Sequence, residues 1–130
     1  MADRPQGDSG RILLVDDEAD LLATYERLLR RRGYRIVATS SCRDGLSIIE
    51  REPLALVVTD LRLPDGDGID IVRAARRTAT PTPSIVVTGF GSEASRSVAL
   101  AAGASGYLAK PFGATAFISL VGGVLGTTPG

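Results

Sequence analysis

Three carboxylates, a hydroxyl and an ammonium each stand at the end of a short apolar run of this chain. Asp16 and Asp17 follow RILLV, Asp60 follows LALVVT, Thr88 ends SIVVT, and Lys110 ends SGYLAK. Gathered carboxylates repel one another unless a cation lies among them, and Mg²⁺ prefers one or two carboxylates together with water and phosphate oxygens. A carboxylate can also attack phosphorus and form an acyl phosphate. These residue types therefore indicate magnesium-dependent phosphoryl chemistry, provided that the fold brings them together.

The amino-acid composition excludes several other classes of function. The chain of 130 residues contains no histidine and one cysteine, Cys42, which excludes Ser-His-Asp and Cys-His catalysis within it. Fifteen basic residues balance fifteen acidic ones, so we expect no nucleic-acid contact by this chain and no membrane contact. No apolar run approaches the roughly 20 residues needed to cross a bilayer. The polar start MADRPQGDSG lacks the apolar segment of a signal peptide, which predicts a cytoplasmic protein.

Apolar runs alternate with helical patterns along the chain. We predict strands at residues 11–15, 34–40, 54–60, 84–88 and 105–110, and helices at residues 16–33, 41–52, 67–78, 92–104 and from Pro111 to about 125. In the last helix, Gly122 and Gly123 are expected to fall on the face away from the core. We expect a disordered tail at residues 1–10, one domain at residues 11–125, and a flexible tail at residues 126–130.

Near-continuous apolar strands that alternate with helices predict a parallel sheet covered by helices on both faces. The carboxyl ends of such strands meet at one edge, where ligands bind. That edge would gather all five of the polar side chains named above. Each has an ordinary explanation when taken alone: Asp17 could cap a helix, Asp60 could be a turn acid, Thr88 could simply end a strand, and Lys110 could belong to a rigid turn. Their joint placement is what those explanations leave unexplained.

Four segments together resemble a response-regulator receiver domain, over about residues 11–124. They are ILLVDDE, VVTDLRLPDGDG, IVVTG and AAGASGYLAKPF. The resemblance implies an α/β fold with a doubly wound, five-stranded parallel sheet in the flavodoxin-like order 2-1-3-4-5. It also implies a regulatory phospho-acceptor domain, not an enzyme in its own right, that assists its own phosphotransfer and dephosphorylation.

The family's site residues carry over one by one. Asp60 would accept a phosphoryl group from a histidine kinase or a histidine phosphotransfer protein. Mg²⁺, for which Mn²⁺ could substitute, would bind Asp17, Asp60 and the backbone carbonyl of Arg62 directly, and Asp16 through water. A chain without histidine fits this scheme, because the donor imidazole belongs to the partner.

The same resemblance implies a switch. Thr88 and Lys110 would hold the phosphoryl oxygens, and Tyr107 would rotate inward as Thr88 moves. The Lys110–Pro111 bond would be cis. The fourth helix, fifth strand and fifth helix would form the surface that changes, and this surface would meet a partner or a second copy in a homodimer.

Two positions near the expected site carry bulky side chains. Arg62 and Phe90 stand two residues after Asp60 and Thr88, and in this family such side chains overhang the acyl phosphate. We expect these bulky residues to hinder attacking water and to prolong the phosphorylated state. Separately, the run Arg30–Arg32 is either a solvated helix end or a docking edge for an acidic partner surface.

Other functional classes fit less well. With Gly68 at the sixth place of an EF-hand loop, Leu63 and Ala74 would occupy ligand positions and cannot bind calcium. A flavin-binding protein would need a phosphate loop where the acidic pair stands. A carboxylate-nucleophile phosphatase would need a second acid where Arg62 stands. The remaining alternative is a receiver-like protein-interaction module that works without phosphorylation.

Overall fold

A computed structural model describes residues 10–89 and 91–126, in which five strands and five helices alternate. The strands are β1 (Arg11–Val15), β2 (Ile36–Thr39), β3 (Leu54–Thr59), β4 (Ser84–Thr88) and β5 (Gly106–Ala109). The helices are α1 (Ala19–Arg31), α2 (Cys42–Arg51), α3 (Gly68–Arg76), α4 (Glu93–Ala102) and α5 (Ala114–Leu125). A two-residue hairpin, Arg62–Leu63 with Gly66–Asp67, lies between β3 and α3.

The five main strands form one parallel sheet in the order β2-β1-β3-β4-β5. Strand order reverses between β1 and β3, so the crevice at their carboxyl ends is where a ligand is expected in a sheet of this type. The doubly wound fold predicted from the sequence is therefore confirmed.

Both faces of the sheet are buried, and β1 shows why its sequence is apolar throughout. Ile12 and Leu14 belong to a core that they share with residues of α1 and α5. Leu13 and Val15 belong to a second core, shared with residues of α2 and α3. Alternate residues of a strand point to opposite faces, so a strand covered on both sides needs apolar residues at every position.

The fifth helix corrects one detail of the prediction. Gly123 is exposed, but Gly122 is buried together with Phe117, Ile118 and Val121. Gly122 follows Ile118 by four residues and therefore shares its face of the helix. The apolar face is wider than the sequence pattern indicated, and it includes one of the two glycines.

Most of the two predicted tails, namely residues 1–9 and 127–130, lies outside the described residues. Gly10 is described, with φ of 113°, and it lies so close to the backbone of Pro53 that a Cβ atom would approach the Pro53 carbonyl oxygen. Among the helices of residues 10–89 and 91–126, none has the length and apolar character needed to span a membrane.

Candidate functional site

Backbone hydrogen bonds of the sheet continue beyond the ends of the strands. They fix the positions of the residues that follow. The amide of Asp16 donates to the carbonyl of Thr39 at 3.2 Å, and the amide of Asp60 donates to the carbonyl of Val15 at 3.0 Å. The amide of Lys110 donates to the carbonyl of Thr88 at 2.8 Å. The polar residues at this edge are therefore mounted on the rigid sheet and do not depend on loop conformation.

The Lys110 ammonium lies among three carboxylates. Its Nζ atom is 2.9 Å from Asp16 Oδ2, 3.0 Å from Asp60 Oδ2 and 2.8 Å from Glu18 Oε1. Burial opposes the charged ammonium, but the hydrogen bonds that it donates to Glu18, Asp16 and Asp60 outweigh burial and raise the pKa of Lys110 above its ordinary value. Lys110 is therefore a fixed positive charge beside Asp60 at neutral pH.

Asp60 is almost completely buried, with 4% of its surface exposed. Its Oδ1 atom accepts a hydrogen bond from the amide of Leu61 at 2.7 Å, and its Oδ2 atom faces Lys110. Both oxygens are held in defined positions, as an attacking carboxylate requires.

The acidic pair divides into a buried and an exposed member. Asp16 is 1% exposed, and its Oδ1 atom accepts from the amide of Glu18 at 2.9 Å. Burial raises the pKa of Asp16, although the hydrogen bonds from Glu18 and Lys110 oppose that shift. Asp17 is exposed, and the residue that caps α1 is Glu18, whose side chain makes no capping bond. The capping explanation for Asp17 is therefore wrong.

Oxygen atoms of Asp16, Asp17 and Asp60 lie within 4.8 Å of one another. The Lys110 ammonium contacts Asp16, Asp60 and Glu18, so three carboxylates share one ammonium beside Asp17. All the metal-ligand atoms that Asp16, Asp17 and Asp60 offer are hard carboxylate oxygens. This donor set fits a hard divalent cation such as Mg²⁺ and does not favour a metal that prefers thiolate or imidazole ligands, such as Zn²⁺ or Cu²⁺.

The turn after Asp60 is built from short contacts that explain its sequence, PDGDG. A Cβ atom on Gly68 would lie 1.9 Å from the carbonyl oxygen of Asp60, so only glycine fits there. The hydroxyl of the buried residue Thr59 donates to the same carbonyl at 2.8 Å. Asp67 Oδ1 accepts from the amide of Ile69 at 2.9 Å and so caps α3.

The first acid of that turn reaches another helix. The carboxylate of Asp65 accepts from the amides of Cys42 and Arg43, at 2.7 and 3.0 Å, and so caps α2 from outside the helix. These bonds, from Arg43 and then from Cys42, lower the pKa of Asp65. The turn beside Asp60 is thus anchored to α2 as well as to α3.

Thr88 and Tyr107 lie on the neighbouring strands. Thr88 ends β4, is completely buried and pairs in register with Ala109. Tyr107 lies two residues earlier on β5 and is half-buried, and its hydroxyl is 2.7 Å from the hydroxyl of Ser95 in α4. Gly91 lies against this ring, since a Cβ atom there would come within 3.1 Å of the Tyr107 hydroxyl oxygen.

The segment after Lys110 is packed onto α1. The Lys110–Pro111 peptide bond is cis, and the Phe112 ring that follows stacks on Tyr25 with 5.7 Å between ring centroids. Phe117 completes this aromatic cluster at 4.9 Å from Tyr25. Beside it lies an apolar groove of about 420 Å³, with Glu18 and Lys110 among the residues that line it.

The structure thus brings Asp16, Asp17, Asp60 and Lys110 together and places Thr88 at the same edge of the sheet. Arg62 is exposed at the start of the hairpin, and Phe90 lies outside the described residues. The expectation that these two side chains prolong the phosphorylated state stays a prediction.

Sequence reasoning missed three residues of the site. Glu18 directly follows the acidic pair and contacts Lys110. Asp65 lies in the turn after Asp60 and caps α2. Ser95 lies at the start of α4 and pairs with Tyr107. Only the position of Glu18 beside the acid pair offered a signal along the chain.

Comparisons with known proteins agree with this geometry. The family model described as the response regulator receiver domain matches residues 12–121. The photosynthetic apparatus regulatory protein RegA of Cereibacter sphaeroides is 36% identical over 100 residues, which are 77% of this chain and 54% of RegA. The chain therefore spans about half the length of this relative.

Solved structures show the same fold. A CheY-like receiver domain from Methanospirillum hungatei superposes with a TM-score of 0.85 at 30% identity, covering 90% of this chain and 94% of that one. The receiver domain of the sensor histidine kinase PA1611 from Pseudomonas aeruginosa has a TM-score of 0.81 at 29% identity, covering 92% and 99%; its structure has a magnesium ion coordinated in the active site cleft. The chain belongs to the response regulator receiver domain family of two-component signal transduction.

Proposed function

We propose that the chain is a phosphorylation-dependent signalling switch whose acceptor is Asp60. The observation that carries this proposal is the position of the Lys110 ammonium, 3.0 Å from Asp60 and 2.9 Å from Asp16, beside three acids whose oxygens cluster within 4.8 Å. A buried, oriented carboxylate with a fixed cation beside it is suited to attack phosphorus.

In the proposed reaction, a carboxylate oxygen of Asp60 attacks the phosphorus of a phosphohistidine on a histidine kinase or phosphotransfer protein. The new P–O bond makes an aspartyl phosphate, the P–N bond breaks, and the departing imidazole takes up a proton. Lys110 and Thr88 would hold phosphoryl oxygens as charge builds on them. The chain positions these groups and needs no base of its own.

The cation site belongs to the same proposal. Asp17, Asp60 and the carbonyl of Arg62 would hold Mg²⁺ directly, with Asp16 bound through water. Mg²⁺ would neutralise charge on the carboxylates and on the phosphoryl oxygens when it is bound. The magnesium ion of the PA1611 receiver domain supports this assignment, since that chain shares the fold.

The output would pass through the surface formed by α4, β5 and α5. Thr88 would move toward the new phosphoryl group, and Tyr107 would turn inward. The Tyr107–Ser95 hydrogen bond supports this route because it links the switch residue to α4 directly. A downstream protein, or a second copy of this chain in a homodimer, would bind the altered surface. A cytoplasmic location and the absence of nucleic-acid contact stay predictions.

Incubation with acetyl phosphate and Mg²⁺, followed by intact mass measurement, tests the proposal. We expect the gain of one phosphoryl group, its loss on treatment with hydroxylamine, which cleaves acyl phosphates, and no gain when Mg²⁺ is chelated. Asp60→Asn should abolish the gain, whereas Asp70→Asn, an exposed acid on α3, should retain it.

Two results would reject the switch. If the wild-type chain gains no phosphoryl group with Mg²⁺ present, the alternative of a phosphorylation-independent interaction module is favoured. If the gain persists in Asp60→Asn, the acceptor is another residue.

A further inference from the structure

All three N–H donors of the Lys110 ammonium are already in use. An ammonium carries three N–H donors, and the three carboxylates Asp16, Glu18 and Asp60 lie within 3.0 Å of its nitrogen. An incoming phosphoryl oxygen can be bound by Lys110 only if one of these contacts is given up.

The three partners differ sharply in how easily they can be released. The side chains of Asp16 and Asp60 are 2% and 6% exposed, so releasing either one would take the ammonium away from a buried carboxylate that water cannot reach freely. The side chain of Glu18 is 57% exposed, so water can replace Lys110 at its carboxylate. Glu18 is therefore the contact that costs least to break.

We propose that Glu18 is a positioning residue that holds Lys110 in the unphosphorylated protein and releases it to the phosphoryl oxygen during transfer. The inference rests on the proposed function and deepens it. An interaction that exists before transfer but not in the transition state stabilises the starting state alone and slows the reaction.

The test compares the full chain with Glu18→Gln, an isosteric change that keeps an acceptor but removes the charge. Phosphorylation by acetyl phosphate is followed by intact mass at saturating Mg²⁺. We expect the variant to be phosphorylated about two- to fivefold faster, the range for loss of one exposed ion pair. The advantage should shrink at high salt, because an exposed contact is screened.

Asp20→Asn is the matched control. It removes the same charge from the same end of α1. The Asp20 side chain is exposed and makes no contact with Lys110 among the described residues. We expect a smaller rate change than for Glu18→Gln. Equal rate changes in the two variants would mean that general charge, not the contact with Lys110, is responsible, and would overturn the inference.

A binding measurement separates the remaining outcomes. The Mg²⁺ affinity of each variant, measured by calorimetry without phosphodonor, should be unchanged or weaker in Glu18→Gln while its rate rises. A phosphorylation rate that falls together with Mg²⁺ affinity would show that Glu18 helps to bind the metal. An unchanged rate would show that Glu18 does not restrain Lys110 during transfer. In both cases the wild-type chain would still be phosphorylated on Asp60, so the proposed function would stand. A wild-type chain that gains no phosphoryl group rejects both.

Discussion

The hydroxyl of Tyr107 lies 2.7 Å from the hydroxyl of Ser95, and the same serine closes the start of α4. Ser95 Oγ accepts from the amide of Ser92, and Ser92 Oγ accepts from the amide of Ser95, which makes a reciprocal capping box. The orientation of a β5 side chain is thereby tied to the first turn of a helix. A change in the position of Tyr107 would therefore alter the hydrogen bonding of the first turn of α4.

Ser95→Ala should release Tyr107. The variant loses both the capping acceptor and the contact with the phenol, so we expect the Tyr107 ring to become more mobile. With ¹⁹F-labelled tyrosine, the NMR signal assigned by Tyr107→Phe should shift in Ser95→Ala. Ser92→Ala weakens the cap alone and should leave that signal nearly unchanged. A Tyr107 signal that moves equally in both serine variants would contradict a direct link.

Gly68→Ala should be severely destabilising. The added methyl group would overlap the Asp60 carbonyl, which is backbone and cannot swing away, so we expect a loss of about 2 kcal/mol or more in the free energy of unfolding. Denaturant unfolding measures it. Gly123→Ala is the control, because space around it is open and alanine favours a helix; it should be neutral or stabilising by up to about 1 kcal/mol. Similar losses in both variants would argue against the Asp60 contact.

Asp65 should make the fold more stable above its ordinary pKa of 3.8 than below it. The amides of Arg43 and Cys42 lower the pKa of Asp65 in the folded chain, so its contribution is complete above 3.8 and is lost as the pH falls through the lower, folded value. Asp65→Asn should lower the melting temperature by a few degrees near neutral pH.

The difference between wild type and Asp65→Asn should then shrink as the pH falls below 3.8 and through the lower pKa of the folded chain. Asp70→Asn, which alters an exposed acid 4.0 Å from Arg73, should show little difference at any pH. A gap between wild type and Asp65→Asn that stays constant down to the lowest pH would rule out the charge of Asp65 as its cause.

Tyr25→Phe should be tolerated or stabilising. The Tyr25 hydroxyl is buried, and within residues 10–89 and 91–126 it has no hydrogen-bond partner. Burial raises its pKa to about 12, which keeps the phenol neutral. Deleting an unpaired buried hydroxyl removes a desolvation cost of about 1 kcal/mol, while the ring contacts with Phe112 and Phe117 remain.

The companion variant Tyr25→Leu removes the ring as well and should cost about 2 kcal/mol or more, because a cavity is left. Both values come from denaturant unfolding. A loss above about 1 kcal/mol in Tyr25→Phe would reveal a bound partner for the hydroxyl, such as a buried water.

The strands, their parallel arrangement and the sheet edge that carries the site could all be predicted from the order of the amino acids. A strand buried on both faces must be apolar at nearly every position, and such runs are visible without coordinates, as in Leu54–Thr59. Parallel strands place their carboxyl ends at one edge, so the meeting of Asp60 and Lys110 followed from topology.

Which side chains contact one another depends on packing between elements that are distant along the chain. The Glu18–Lys110 contact joins residues 92 positions apart, and the cap that Asp65 places on α2 joins residues 23 positions apart. Gly68 is required by the carbonyl of Asp60, and Ser95 is paired with Tyr107, through space and not through local pattern. Periodicity reports which face of an element is buried, but it carries no information about the distance between two polar groups on different elements. Those distances are set by how the elements pack together.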